Sequence, residues 1–238
     1  MSAAPAARSA LITGASRGLG LALARFLAAQ GYRLTITARG MAALAEVAAE
    51  LSGLTEVVAV PGDVSEHEHR RRLADSAGDR LDLLINNASE LGPTPLPALV
   101  DYDLARLRAV FETNVIAPVA LVQLTAAALG RANGRVINLS SDAARGGYPG
   151  WGGYGASKAA LDLAGLTLAQ ELTGISVVNV DPGDMRTVMQ QAAFPDEDIA
   201  DRKPPEATIP FWAWLLGQQA DAVNGRRFEA QADVWESA

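Results

Sequence analysis

The sequence predicts an α/β protein, a doubly wound parallel sheet of about seven strands with helices on both faces. Three observations carry this reading. Short apolar runs alternate with longer amphipathic stretches along most of the chain, as successive βαβ units do. Several of those runs are apolar on both faces, as strands are when helices cover both sides of a sheet. Finally, 238 residues, 49 % of them hydrophobic, suffice for one large layered domain and leave little for a second.

Taken in order, the strands are expected at 9–13 (SALIT), 33–38 (RLTITA), 56–60 (EVVAV), 81–86 (LDLLIN), 135–140 (RVINLS) and 175–180 (ISVVNV). Amphipathic segments between them read as helices at 19–30, 41–51, 66–77, 103–129 and 154–172. A last helix is expected near 205–216 and a final strand near 226–230. No repeat or low-complexity linker divides the chain, so 1–238 reads as one domain. The Pro- and acid-rich stretch 194–206 reads as a mobile loop, within a region 184–217 that follows the sixth strand and would cover a substrate.

A net charge of −7 argues against a broad surface for nucleic acid or anionic membrane, while leaving room for a local phosphate pocket. The absence of cysteine excludes disulfides, thiolate metal sites and cysteine nucleophiles. No run approaches the ~20 apolar residues that span a bilayer, and residues 1–8 lack the pattern of a secretory leader. The expected location is the cytoplasm. His67 and His69, beside Arg70, Arg71 and Arg72, read as a solvated helix face, and no metal site is expected.

Directly after the first strand comes Thr13-Gly14-Ala15-Ser16-Arg17-Gly18-Leu19-Gly20, opening an apolar helix. Glycines let the backbone bend sharply and approach a pyrophosphate, and the helix N-terminus offers free N–H groups and partial positive charge. Such a turn is weak evidence alone; its place between a strand and a helix strengthens it. The second strand ends at Arg39, where NAD-binding proteins of this fold tend to carry an acid for the ribose hydroxyls. Arg17 and Arg39 together suit a ribose 2′-phosphate, which guanidinium grips bidentately. Read otherwise, Arg39 is a solvated residue at a strand end. NADP(H) is therefore expected over NAD(H).

Further along, Tyr154-Gly155-Ala156-Ser157-Lys158 opens a helix and places a phenol and an ammonium one turn apart on one face. Of the four tyrosines only Tyr154 has a lysine four residues on. An ammonium at ~4 Å, in an effective dielectric of ~20, favours a phenolate by ~4 kcal/mol, or roughly 3 pKa units. That would bring Tyr154 towards neutrality. Ser141, thirteen residues earlier at a strand end, could bind a substrate carbonyl oxygen; its neighbour Ser140 would point the other way.

The TGxxxGxG turn and the YxxxK pair resemble those of the short-chain dehydrogenase/reductase family, and the likeness runs from Ser9 to Thr187. It implies a Rossmann-like fold, a small-molecule carbonyl or alcohol substrate, and hydride transfer with Ser141, Tyr154, Lys158 and Asn114 as the catalytic set. In the family the Asn at the position of Asn114 binds a water that feeds the lysine; an ordinary buried amide is the alternative. The resemblance further implies that Gly14, Ser16, Arg17, Gly18, Leu19 and Gly20 hold the dinucleotide. Asp63 and Val64 would contact the adenine, although Gly62-Asp63-Val64-Ser65 also reads as a capping turn. Asn86 would be structural, with Asn87 and Ala88 beside the ribose; Ser89 departs from the family's glycine. Pro182, Gly183 and Thr187 would hold the carboxamide, and Tyr154 and Lys158 would also touch the cofactor.

For the substrate pocket, Tyr148, Trp151, Met185, Met189 and Phe194 are candidates, or equally loop packing. Phe211, Trp212 and Trp214 read as helix packing or a subunit contact. A homodimer through the helices at 103–129 and 154–172 is expected; the stretch NGRRFEA at 224–230 departs from many relatives and puts a homotetramer in doubt. A dinucleotide sensor without catalysis would usually lack the Tyr, Lys or Ser, and a dehydratase or epimerase of the extended type would need a longer C-terminal region.

Overall fold

The computed structural model describes residues 7–235; most of the stretch 1–8 lies outside them. Seven strands form one all-parallel sheet: β1 (Ser9–Thr13), β2 (Arg33–Thr37), β3 (Val57–Ala59), β4 (Leu83–Asn86), β5 (Arg135–Leu139), β6 (Ser176–Asp181) and β7 (Arg227–Glu229). Their order is β3-β2-β1-β4-β5-β6-β7. The order reverses between β1 and β4, and that switch point is where the glycine turn leaves β1.

Helices α1 (Gly18–Ala29), α2 (Met41–Leu51) and α3 (His67–Ala77) link the first four strands. After β4 come α4 (Leu104–Phe111) and α5 (Ala117–Ala132), then α6 (Gly152–Glu171) between β5 and β6. Three shorter helices follow β6: α7 (Val188–Ala193), α8 (Ile209–Gly217) and α9 (Ala220–Val223). Two apolar layers result. One sandwiches α1, α2 and α8 against the sheet, and the other packs α3 and α5 against its opposite face. Phe211 and Trp212 are fully buried in the first layer, with Trp214 tilted and Trp235 edge-on against Phe211, so helix packing explains them.

Three expectations need correction. The helix expected at 103–129 is not continuous: Glu112–Ile116 is a π-helical turn between α4 and α5. The π turn adds one residue to a single helical turn, a local shift of phase that apolar spacing averaged over the whole segment does not resolve. The span Leu104–Ala132 is also long and apolar enough to cross a membrane by length and composition. Its inner face, including Val110, Leu121, Val122 and Leu129, is instead buried within the protein. Nor is the α3 face wholly solvated, since His69 and Arg70 are buried. His69 accepts from Arg72 at Nδ1 (3.2 Å), leaving its Nε2 proton to bond Thr37 Oγ1 at 2.8 Å. Arg70 donates to the carbonyls of Val64 and Ser65 and to Glu112.

Candidate active site

The glycine turn is locked by its neighbours. Thr13 Oγ1 accepts from the backbone N–H groups of Asn87 and Ala88, each at 2.9 Å. Asn87 Nδ2 donates back to the carbonyls of Thr13 (2.8 Å) and Gly14 (3.1 Å). Asn87 thus fastens the end of β4 to the end of β1. Gly14 and Gly18 adopt φ of +69° and +56°, which favours glycine. A Cβ on Gly14 would sit 2.8 Å from Asn87 Nδ2, and one on Gly20 would collide with the Gly14 carbonyl. Among the described residues no side chain caps the N-terminus of α1, so its first N–H groups remain available to an anion.

Beside this turn lies a cavity of about 660 Å³. Gly14, Ser16, Arg17, Gly18 and Leu19 line one end, Arg39, Asp63 and Val64 another, and Asn87, Ala88, Tyr154, Lys158, Pro182 and Thr187 complete it. Two of the expected contacts lie elsewhere. Gly20 is behind the turn, where it permits close packing, and Gly183 faces the neighbouring cavity. Asp63 also accepts from the backbone N–H of Ser65, so it caps a turn as well. Arg39 is exposed and 3.5 Å from Glu90. With a glycine cradle, a free helix N-terminus and two guanidinium groups, the lining fits a dinucleotide with an additional phosphate.

A second cavity of about 480 Å³ shares Tyr154, Pro182, Met185 and Thr187 with the first. It is lined by Ser141 and by all five pocket candidates, Tyr148, Trp151, Met185, Met189 and Phe194. Trp151 stands edge-on to the Tyr154 ring at 5.8 Å and packs on Phe194 at 5.9 Å. Ser140 turns its hydroxyl to Asp162 at 2.8 Å, while Ser141 faces the cavity and donates to Asp142 at 3.0 Å.

Burial contradicts the expected acidification of Tyr154. The phenol is pushed up to about 12, chiefly by desolvation, with hydrogen bonding from the Ser89 and Ser141 hydroxyls acting in the opposite sense. Lys158 Nζ lies 5.4 Å from the Tyr154 ring centroid and donates to the Leu139 carbonyl at 2.7 Å. Its ammonium is pushed down to about 8 by burial, against the pull of Asp162 and Asp181. Geometry based on helical spacing gives proximity but not the low-polarity surroundings, and here the surroundings dominate.

Asn114 sits in the π-helical turn and is buried, with its amide fully engaged. Its Oδ1 accepts from Ser89 Oγ (3.1 Å) and Glu90 N (2.7 Å). Its Nδ2 donates to the Glu90 carbonyl and Ser157 Oγ, both at 2.9 Å. Ser157 in turn donates to the Tyr154 carbonyl at 2.6 Å. The side chain therefore ties the β4 exit to α6.

Apart from Asn86, expected to be structural, the following residues gave little sign of their roles in the sequence. Asn86, Asn138 and Asn179 form a buried ladder across β4, β5 and β6, linked at 2.9 and 3.1 Å. Arg227 on β7, almost fully buried, donates to Asp181 (2.9 Å), Asp162 (3.2 Å) and the Ser141 carbonyl (3.0 Å). A basic residue in a short terminal strand carries no such signal; the parallel pairing of β6 with β7 brings it to the site.

Comparison with known proteins agrees with this geometry. The family model for short chain dehydrogenases matches residues 8–198. The chain is 35 % identical over 232 residues to the rhamnolipids biosynthesis 3-oxoacyl-[acyl-carrier-protein] reductase of Pseudomonas aeruginosa, covering 92 % of this chain and 88 % of that one. Among solved structures, the oxidoreductase yciK from E. coli superposes with a TM-score of 0.88 at 30 % identity, covering 94 % of this chain and 95 % of that one. A short chain dehydrogenase from Shigella flexneri complexed with NADP gives a TM-score of 0.86 at 29 % identity, covering 94 % and 97 %. The chain belongs to the short-chain dehydrogenase family. It is an oxidoreductase of carbonyl and alcohol groups.

Proposed function

We propose that the protein is an NADP(H)-dependent reductase of an aldehyde or ketone, with Tyr154 as proton donor. The observation that carries this reading is that the two cavities meet at Tyr154. Bound along the glycine turn, the reduced cofactor supplies a hydride. The chain's residues do the rest. Arg17 and Arg39 hold the 2′-phosphate, and Asp63, Val64, Asn87 and Ala88 flank the adenosine half. Pro182 and Thr187 position the carboxamide end, with Gly183 shaping the turn between them. Ser141 orients the substrate oxygen, Tyr154 protonates it, and Lys158 holds the ribose and places positive charge beside the phenol. A phenol kept protonated by burial suits the acid of a reduction.

Segment 184–217 covers the substrate through its first part, since Met185, Met189 and Phe194 wall the second cavity, while its last part, α8, packs in the core. We further infer a cytoplasmic homodimer through α5 and α6, where Leu124, Leu163 and Leu166 are exposed; a homotetramer is the alternative. The test is a panel of aldehydes and ketones with NADPH or NADH, followed at the nicotinamide absorbance. NADPH is oxidised preferentially, and Arg39→Asp lowers the NADPH-to-NADH ratio of kcat/KM by at least about tenfold. An unchanged ratio removes the phosphate clamp, and no oxidation of either cofactor with any member removes the reductase.

A further inference from the structure

The cavity beside Tyr154 has a charge pattern that limits what it admits. Its hydrophobic walls come from Leu91, Trp151, Met185, Met189 and Phe194. The charged side chains on its lining, among the described residues, are all carboxylates: Asp142, Asp181 and Asp184. Two of the nearby cations are already outnumbered. Arg227 faces Asp162, Asp181 and Glu229 within 3.3 Å. Arg202 faces Asp184, Glu197 and Asp201 within 4.0 Å. Lys158 stands towards the other cavity, its Nζ bonded to the Leu139 carbonyl.

From this pattern we propose that the substrate is an uncharged, largely apolar, ring-bearing aldehyde or ketone, and that the acidic rim rejects carboxylate- and phosphate-bearing ones. This rests on the reductase reading and narrows it. Trp151 and Phe194 present ring surfaces to a planar or alicyclic group, favoured by edge and offset contacts. An incoming carboxylate would meet like charges in a partly desolvated pocket whose described lining carries no cation to offset them. A neutral ester of the same shape would meet no such repulsion.

A matched pair of aryl ketones tests it, one ending in a carboxylate and the other in its methyl ester, with NADPH at pH 7.5. The ester has a kcat/KM at least about tenfold higher at low ionic strength, and added salt narrows the ratio. Equal use of the pair, or preference for the carboxylate, overturns the proposal. The double variant Asp142→Asn/Asp184→Asn narrows the ratio at least about threefold; an unchanged ratio would remove charge as the cause. Calorimetric titration of both compounds into the NADPH complex reads the pocket independently of turnover. Ester binding without reduction leaves the proposal standing and removes the reductase; binding by neither compound overturns the proposal.

Discussion

Tyr154 and Lys158 lie one turn apart on α6, and burial acts on them in opposite senses. The phenol is held at about 12 and the ammonium at about 8. At neutral pH both carry their protons, so the phenol can act as an acid beside a positive charge. Once it has given up its proton, the phenolate is stabilised by the ammonium, an advantage lost as Lys158 deprotonates. Lys158 is cationic below about 8, so reduction at saturating NADPH is fastest below that pH and falls as pH rises through it. A pH–rate profile of kcat checks this, and a rate that stays flat from pH 7 to 10 would contradict it. The spacing of Tyr154, Lys158 and Ser141 was readable in the sequence because one helical turn and one strand end are local geometry. The direction of the Tyr154 shift was not, because it depends on walls brought in from distant segments. The same holds for Asn114: its identity was visible, but the engagement of its amide depended on where Ser89, Glu90 and Ser157 come to lie.

At the scale of elements, the strands and the glycine turn were legible because apolar runs and a left-handed bend leave marks within a few residues. What escaped was set by pairing between elements. Asn138 and Asn179 look like isolated polar residues on apolar strands until parallel register places them beside Asn86 and one another. The role of β7 is of the same kind. Arg227 holds two carboxylates and the Ser141 carbonyl in a nearly water-free setting, so removing it leaves Asp162 and Asp181 without their shared cation. Arg227→Met therefore destabilises the fold by about 3 kcal/mol or more. Arg227→Lys recovers part of this, since one ammonium cannot match a planar fork. By contrast, Arg25 and Glu50 are each nearly half exposed at 2.7 Å, and Arg25→Met costs less than about 1 kcal/mol. Urea unfolding of the three variants measures this, and equal losses for Arg227→Met and Arg25→Met would refute the buried clamp.

For the molecule as a whole, the topology gathers the function at the carboxyl ends of the strands. The exits of β1 and β4 provide the glycine cradle and its lock, and the exits of β5 and β6 provide Ser141 and the Pro182 turn. Helix α6 brings Tyr154 to the boundary between the two cavities. Because that phenol borders both, removing its hydroxyl should stop proton transfer while sparing the glycine cradle and the two arginines. The most direct measurement is NADPH binding and carbonyl reduction by Tyr154→Phe, followed side by side. The expected result is a fall in kcat of at least about 100-fold with a dissociation constant for NADPH within about threefold of the parent. A variant that retained more than about a tenth of the parent kcat would contradict the assignment of Tyr154 as the acid.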